Sequence, residues 1–225
     1  DQLGISSVQA VPLSALAGDN LITSSARTPW YSGPSVLEYL ENVRIDESVV
    51  DGTHTGRLPV QWVCRPNLDF RGFAGTVCAG AFQAGEEVAV LPSGKRSHIA
   101  RIVTQDGDLE RASQGQAVTF TLTDEVDISR GDVIARPDDL PGVADQFEAV
   151  VVWMSDEPML PGRPYWLKTG TKQVSATITE PKYKVNVNTL EHLAAKKLEL
   201  NEIGVCNIAL DRVIAFDPYT VNRDT

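Results

Sequence analysis

Two glycine-lysine sequences are the first places in this chain to look for phosphate chemistry. A phosphate-binding loop needs glycines that let the backbone approach the phosphate, and a lysine that is followed by Ser or Thr. Lys95 is followed by Arg96, and Ala89 stands five positions before Gly94, where such a loop has glycine. Residues 170–172 (GTK) fail in the same way. Both sequences therefore predict hairpin turns rather than nucleotide-binding loops.

The thiols and imidazoles are too scattered to form a metal site from sequence neighbours. The cysteines show no CxxC spacing, and the histidines are far apart with no HExxH motif. We therefore expect neither a zinc site nor a catalytic histidine, and we identify no catalytic residue in the chain. Each cysteine stands among strand-forming residues, which predicts buried, reduced thiols and a cytoplasmic protein. The residues concerned are Cys64, Cys78, Cys206, His54, His98 and His192.

The charge of the chain argues against a nucleic-acid partner and leaves one local basic cluster. Thirty acidic and twenty basic residues give a net charge of −10, which repels phosphate backbones at long range. The cluster consists of Lys182, Lys184, Lys196 and Lys197. It predicts either a solvated basic face or a contact with a partner or anion. Because no apolar run approaches the roughly 18 residues of a membrane span, we expect no membrane partner.

Most of the chain has the pattern of short β-strands. Leu58, Val60, Trp62 and Cys64 are expected to point to one side, and Gln61, Val63 and Arg65 to the other. This alternation indicates a half-buried strand. Further strands are predicted at residues 75–79, 87–91, 99–103, 118–122, 133–135, 149–153, 165–168, 175–179, 184–187 and 205–210. Glycine-containing turns separate them. The pattern predicts an all-β protein of two consecutive small antiparallel barrels, in which closure of each sheet removes exposed edges.

The remaining elements are few. A strand is predicted at residues 5–11, and Val36, Leu37, Leu40 and Val43 recur at helical spacing. A second short helix is predicted near residues 189–197, because Thr189 can cap it and lysines stand at its end. The turn-rich residues 137–142 predict a domain boundary. We therefore divide the chain into residues 1–50, 51–140 and 141–225, and expect the last barrel to lack its closing strand.

Four blocks carry a resemblance to a known superfamily. They lie at residues 71–80 (RGFAGTVCAG), 85–88 (GEEV), 112–118 (ASQGQAV) and 127–134 (DISRGDVI). In this order and spacing they resemble the second, β-barrel domain of translation-factor GTPases such as elongation factor Tu. The resemblance implies that residues 1–50 are the C-terminal remnant of a P-loop α/β GTPase domain, with that domain's last strand and helix. Residues 30–34 (WYSGP) with Leu37 and Glu38 resemble that helix region.

The same resemblance implies a nucleotide contact near the start of the chain. Residues 11–16 (VPLSAL) resemble the last guanine-contacting loop of such a GTPase domain. Ser14, Ala15 and Leu16 would then face the base, and a backbone N–H would donate to the guanine carbonyl oxygen. The implied cofactor is GTP with magnesium, most of whose site would lie outside this chain. The fragment alone is therefore not expected to hydrolyse GTP.

Five other segments narrow the resemblance to one family within this superfamily. Residues 62–72 (WVCRPNLDFRG), 182–191 (KYKVNVNTLE) and 198–205 (LELNEIGV) resemble the large-subunit family of bacterial sulfate adenylyltransferases, as do residues 215–219 and 222–225. This resemblance implies a regulatory GTPase subunit that couples GTP hydrolysis to the synthesis of adenosine 5′-phosphosulfate and pyrophosphate from ATP and sulfate. It also implies a partner, the small catalytic subunit. The alternative is a translation elongation factor whose barrels bind aminoacyl-tRNA.

Overall fold

The structure is a computed structural model that describes residues 8–43 and 56–222. The chain divides into two compact units, Asp1–Val49 and Val50–Thr225. In neither described range is there a helix long and apolar enough to cross a membrane.

Within residues 8–43, the first unit contains one helix, α1 (Val36–Asn42). The Ser35 Oγ accepts a hydrogen bond from the Glu38 N–H at 3.2 Å, so Ser35 caps the first turn. This helix confirms the one predicted from the spacing of Val36, Leu37, Leu40 and Val43. The strand predicted at residues 5–11 lies partly outside the described residues. Its described part, residues 8–11, forms no strand, since this unit offers it no strand to pair with among residues 8–43.

The second unit begins with nine strands in one antiparallel sheet. They are β1 (Gly56–Cys64), β2 (Gly72–Thr76), β3 (Ala79–Gln83), β4 (Glu87–Leu91), β5 (Lys95–Thr104), β6 (Gly107–Leu109), β7 (Arg111–Ser113), β8 (Ala117–Leu122) and β9 (Val133–Ala135). The order β2-β8-β5-β4-β9-β1 returns to β2 because β1 also pairs with β2. Six strands therefore close into a barrel, which we call the first barrel. Strands β4 and β9 have the predicted bounds.

The core of the first barrel comes from the inward positions of these strands. Phe73, Phe82, Phe120, Leu58 and Ile102 are almost completely buried there. The rings of Phe82 and Phe120 meet edge to face at 5.1 Å between centroids, a favoured aromatic geometry. Burial of these large apolar surfaces is the main stabilising contribution to this half of the unit.

Six further strands form the second sheet. They are β10 (Gly142–Val152), β11 (Pro164–Thr169), β12 (Lys172–Ile178), β13 (Tyr183–Val185), β14 (His192–Leu193) and β15 (Ile203–Phe216). Their order is β11-β12-β15-β13-β14, and β10 pairs with β15. Met159, Leu198 and Cys206 are buried at the centre of this sheet's apolar cluster. The all-β class with two antiparallel sheets is thereby confirmed.

The two predicted hairpin turns are present in the structure, whereas the second predicted helix is not. Gly94 (φ +71°) turns the chain between β4 and β5, and Gly170 (φ +50°) turns it between β11 and β12, so both hairpin turns are confirmed. The helix predicted near residues 189–197 is wrong. Leu190 has a φ of +60°, which a right-handed helix does not allow, and its N–H bonds to the Asn186 carbonyl at 2.7 Å. This turn joins β13 to β14 instead.

The cysteine prediction holds in part. Cys206 is fully buried, and its apolar surroundings raise the pKa of the thiol. Cys64 and Cys78 are only half-buried, because Cys64 lies near the end of β1 and Cys78 lies between β2 and β3. No disulfide joins the three residues.

The first barrel and the second sheet are joined by polar and apolar contacts. The Arg57 guanidinium forms two hydrogen bonds to the Asp217 carboxylate, at 2.8 and 3.0 Å. The Lys172 Nζ lies 3.0 Å from an Asp132 carboxylate oxygen, and the Thr171 hydroxyl donates to the Val60 carbonyl at 2.8 Å. A small buried cluster consists of Ala89, Leu91, Val133, Ala135 and Ala215.

Candidate functional site

The predicted guanine-contacting residues form a tight loop in the first unit. Ser14 and Asp19 form an isolated antiparallel bridge, and the Gly18 N–H donates to the Ser14 carbonyl at 2.8 Å. Gly18 has a φ of +75°, which favours glycine at the point where the chain turns back. The structure therefore places Ser14, Ala15 and Leu16 together at the rim of one turn.

The buried side chain of Asn20 holds this turn through three hydrogen bonds. Its amide nitrogen donates to the Pro12 carbonyl at 2.7 Å and to the Thr28 hydroxyl at 2.9 Å, and its amide oxygen accepts from the Ser25 N–H at 2.7 Å. Asn20 has a φ of +54°, a conformation that asparagine tolerates better than most residues. The loop is thus held by hydrogen bonds on both sides of the turn.

The outer edge of the turn can donate hydrogen bonds. The Ala17 N–H is directed to the Ser14 hydroxyl at 3.3 Å, whereas the N–H groups of Ala15 and Leu16 have no acceptor within the described part of the chain. The Leu16 side chain is fully exposed. Two adjacent backbone donors at an exposed turn can bind a carbonyl oxygen of a ligand.

The lysines of the basic cluster are paired with glutamates. Lys182 forms an ion pair with Glu148 of β10, and Lys184 forms one with Glu202. The Lys197 Nζ lies 3.1 Å from a Glu199 carboxylate oxygen. Their positive charge is therefore largely compensated within the second sheet, which sequence spacing could not indicate because Glu148 is 34 residues from Lys182.

Two of these lysines act on the carboxyl group of Glu202. Its hydrogen bond from the Lys184 ammonium, with one from the Glu199 N–H, lowers the pKa of the Glu202 carboxyl below its usual value. The charge of Lys197 adds to the same effect. Lys196 is exposed and forms no ion pair with any described residue. The four lysines thus form a mixed-charge surface rather than a positive patch.

The structure also shows a groove that the search for catalytic motifs missed. A cavity of about 290 Å³ lies on the first barrel and is lined by Arg65, Phe70, Arg71, Arg101 and Thr121, among others. Asp108 binds the Arg101 guanidinium through two hydrogen bonds at 2.6 and 2.9 Å. The sequence signal for this groove was the segment at residues 62–72.

A second cavity, of about 420 Å³, lies where the first barrel meets the β11–β12 turn. Gln61, Cys78 and Gln114 line it together with Gly170 and Thr171. Among the described residues, no carboxylate, histidine or lysine lines this cavity.

Comparisons with known proteins agree with the fold. A family described as "GTP-eEF1A C-terminal domain-like" matches residues 146–225. Two solved structures share the fold: Sup35 complexed with GMPPNP, at 16% identity and a TM-score of 0.69 over 94% of this chain and 52% of that chain, and translation elongation factor SelB from Methanococcus maripaludis. The SelB match has 19% identity and a TM-score of 0.61 over 81% of this chain and 39% of that chain.

Sequence relatives match the whole chain more closely. It is 53% identical over 222 residues to the bifunctional enzyme CysN/CysC of Xylella fastidiosa, covering 99% of this chain and 35% of that protein. It is 49% identical over 225 residues to sulfate adenylyltransferase subunit 1 of Alteromonas mediterranea, covering 100% of this chain and 47% of that protein. The chain thus spans between a third and a half of the length of these relatives, and it is homologous to one segment of them throughout.

Proposed function

We propose that this chain, a homologue of a segment of the sulfate adenylyltransferase subunit 1 proteins, is part of the GTP-binding regulatory subunit of a sulfate adenylyltransferase. The observation that carries the proposal is about 50% identity along essentially the whole chain to proteins of that name. The match includes the first barrel, the second sheet and the Ser14–Leu16 loop. A shared fold alone would show much lower identity, as it does for Sup35.

The reaction of the proposed complex joins sulfate to the α-phosphorus of ATP. A sulfate oxygen forms the new bond, the bond to the bridging oxygen breaks, and pyrophosphate leaves as adenosine 5′-phosphosulfate is formed. The phosphosulfate anhydride is high in energy, so synthesis is uphill unless it is coupled to GTP hydrolysis. The partner, a small catalytic subunit, would carry the adenylyl transfer, and the role of this chain is to transmit the nucleotide state.

GTP would meet this chain at the turn of Ser14, Ala15 and Leu16. In this proposal the N–H groups of Ala15 and Leu16, which have no acceptor among the described residues, would donate to the guanine carbonyl oxygen. The phosphates, and the magnesium ion that accompanies them, would be held by residues outside this chain.

A proline substitution tests this loop. In the complete protein, Leu16→Pro removes one N–H donor, whereas Leu16→Ala removes the side chain and keeps the donor. We expect the affinity for GDP to fall about tenfold or more for Leu16→Pro, since one hydrogen bond to a buried carbonyl is lost. The affinity of Leu16→Ala should stay near that of the wild type. Equal affinities of both variants and the wild type would contradict the guanine contact.

The lysines at 182, 184, 196 and 197 are a further proposed contact with the partner or an anion. Because three of them are paired with glutamates, such a contact would have to replace Glu148, Glu199 or Glu202. If replacing all four lysines with Ala changes neither assembly nor GTP-stimulated synthesis, they form only a solvated face.

The alternative is a translation elongation factor that binds aminoacyl-tRNA. The fold shared with SelB favours it, although that likeness speaks for the fold alone. One experiment separates the two functions: the complete protein and the small subunit are assayed for GTP-dependent pyrophosphate release from ATP and sulfate, and the complete protein is titrated with charged tRNA at low salt. We expect pyrophosphate release. A tRNA complex without synthesis would overturn the proposal.

A further inference from the structure

Asn20 is the most completely buried polar residue within residues 8–43, with 1% of its surface exposed. Its amide nitrogen donates both hydrogens, one to the Pro12 carbonyl and one to the Thr28 hydroxyl. The Thr28 hydroxyl donates its own hydrogen to the Ser25 carbonyl, at 3.2 Å, so it accepts from Asn20. The Asn20 amide oxygen accepts from the Ser25 N–H. These partners fix the orientation of the amide group, because reversing it would place its oxygen against the Pro12 carbonyl.

Both the side chain and the backbone at this position select asparagine. Aspartate has the same shape, but it would place a carboxylate oxygen against the Pro12 carbonyl, and two acceptors repel each other. Most other residues avoid the left-handed φ of +54° that Asn20 adopts. Removal of the amide also takes a hydrogen bond away from the half-buried Pro12, which is costly.

Helix α1 anchors the backbone of Asn20. The N–H groups of Val36 and Leu37 donate to the carbonyls of residues 20 and 21, at 3.0 and 2.9 Å. The buried Ser35 hydroxyl donates to the carbonyl of residue 22 at 2.9 Å. Three consecutive carbonyls are therefore bound to the start of α1, so the Asn20 side chain extends from a fixed backbone.

The turn at residues 14–16 has two arms, and the Asn20 side chain joins them. The arm that enters the turn contains Pro12, and the arm that leaves it contains Asn20 itself. The backbones of the two arms are joined by a hydrogen bond from the Ser14 N–H to the Asp19 carbonyl, which is long at 3.3 Å. The bond from the Asn20 amide to the Pro12 carbonyl is much shorter, at 2.7 Å. The position of the entering arm therefore depends on this side chain.

We propose that Asn20 is a positioning residue for guanine recognition, which holds the N–H groups of Ala15 and Leu16 where they meet the guanine carbonyl oxygen. This inference rests on the proposed function, in which that turn contacts GTP. Because its side chain is buried, Asn20 acts through the arm that contains Pro12. Binding groups are effective only when locked neighbours hold them to within about 0.5 Å of the productive geometry. Loss of the amide should therefore weaken the contact with the carbonyl oxygen and spare the contacts with the rest of the nucleotide.

The test measures the affinity of the complete protein for three nucleotides by titration calorimetry. They are GDP, inosine diphosphate, which keeps the carbonyl oxygen and lacks the amino group, and thioguanosine diphosphate, in which sulfur replaces the carbonyl oxygen. Asn20→Gly removes the side chain and tolerates the left-handed backbone. We expect the affinities for GDP and inosine diphosphate to fall by the same factor, about tenfold. The affinity for thioguanosine diphosphate should change less than about threefold, because sulfur is a weak acceptor.

Asn201→Gly is the matched control. Asn201 has a φ of +63°, close to that of Asn20, but its side chain is exposed instead of buried. The affinities of this variant for all three nucleotides should stay within about twofold of those of the wild type. The control thus separates the loss of the buried amide from the effect of glycine on a left-handed backbone.

A milder variant keeps the test decisive if Asn20→Gly does not fold. Thr28→Val leaves Asn20 in place and removes one of its two acceptors. The affinity for GDP should fall about threefold, while that for thioguanosine diphosphate stays near the wild-type value. Thr23→Val, at an exposed threonine of the same loop, is the control and should leave both affinities unchanged.

The outcomes distinguish this inference from the function on which it rests. If the wild-type protein does not bind GDP, the proposed function itself is wrong. If the wild type binds GDP, and Asn20→Gly and Thr28→Val bind all three nucleotides equally well, Asn20 only stabilises the fold and the inference is overturned while the function stands. Equal losses for all three nucleotides would also overturn it, because a general distortion of the unit does not depend on the carbonyl oxygen.

Discussion

Arg57 is the residue whose surroundings say most about how this protein is stabilised. Its side chain is almost completely buried, and its guanidinium donates to both Asp217 carboxylate oxygens and to the Asp139 carbonyl, at 2.6 Å for the last. A buried charge is tolerated only when such partners replace water. Because Arg57 lies in β1 and Asp217 follows β15, one side chain links the first barrel to the second sheet.

Arg57→Ala should lower the free energy of unfolding by about 3–5 kcal/mol, since it removes the guanidinium that pairs with the buried Asp217 carboxylate. Arg57→Lys should recover only part of the loss, because an ammonium cannot form the same two parallel hydrogen bonds. Urea unfolding measures both values. Arg212→Ala, at an exposed ion pair with Asp211, is the control. An effect of Arg57→Ala no larger than that control would show that the buried pair is not stabilising.

The carboxyl group of Glu202 makes the stability of the folded protein depend on pH. Its pKa is lowered in the folded protein, first by the Lys184 ammonium, so the folded state holds this proton less tightly than the unfolded state. The resulting stabilisation is complete above the ordinary glutamate pKa of about 4.3 and is lost as the pH falls through the lower folded-state value.

Lys184→Met should therefore destabilise the protein at pH 7 and progressively less below about pH 4.3, where Glu202 becomes protonated in the unfolded state. Unfolding free energies of the variant and the wild type, measured between pH 3 and 7, give the difference. A difference that stays constant over this range would mean that the ion pair does not set the pKa of Glu202.

Among the strands, the pairing of β1 with β2 requires their two backbones to approach each other closely. Gly75 pairs with Val60, where the register of β1 is irregular, and a Cβ on Gly75 would lie 2.4 Å from the Pro59 carbonyl oxygen. A carbonyl oxygen of the backbone cannot move aside as a side chain can. The closed ring of the first barrel therefore needs glycine at this position.

Gly75→Ala should cost about 1–3 kcal/mol of unfolding free energy, because the new methyl group must push β1 and β2 apart. Gly142→Ala is a matched control, since its Cβ would meet only the Phe216 ring, at 3.0 Å, which can rotate away. Thermal unfolding of both variants tests this. A melting temperature of Gly75→Ala equal to that of Gly142→Ala would contradict the prediction.

The strands could be predicted from the sequence because their signal is local. Alternation of inward and outward residues in 118–122 and the apolar run at 88–91 reflect the surroundings of each strand directly. The failed helix near residues 189–197 had a good local pattern too, but Asn186 accepts hydrogen bonds from the N–H groups of Asn188 and Thr189, and β13 pairs with β14. Turn hydrogen bonds and strand pairing outweighed a weak helical preference.

The candidate site was less predictable than the strands. The turn at Ser14 was found by resemblance, whereas Asn20, which holds it, carried no signal of its own. Glu148 is 34 residues from Lys182 and Glu202 is 18 residues from Lys184, so sequence spacing did not indicate these two ion pairs. Contacts of this kind depend on which strands are neighbours in the sheets. The two-residue alternation within one strand carries no information about its neighbours.

At the scale of the whole second unit, the first barrel and the second sheet meet at two turns. Gly131, in the left-handed conformation (φ +89°), approaches Lys172 so closely that a Cβ would lie 2.9 Å from the Lys172 Cα. The ion pair between Lys172 and Asp132 lies beside this contact. We therefore expect the two parts to unfold together in the wild-type protein.

Gly131→Ala should separate them. The matched control is Gly94→Ala, because Gly94 has a similar φ of +71° but nothing within 4 Å of its Cβ position. Both variants place alanine in a left-handed backbone conformation, which is strained. Only Gly131→Ala also forces the two turns apart. We expect two transitions in calorimetry for Gly131→Ala and one for Gly94→Ala. A single transition in both would show that the close approach is not needed for joint unfolding.

The pairing of Arg57 with Asp217 also has a consequence for synthesis of the chain on the ribosome. The two residues are 160 positions apart, so at about 5–20 residues per second the aspartate is made roughly 8–32 s after the arginine. All strands of the first barrel emerge well before Asp217 does. Until the second sheet has been synthesised, the Arg57 guanidinium therefore lacks the Asp217 carboxylate and is hydrated instead.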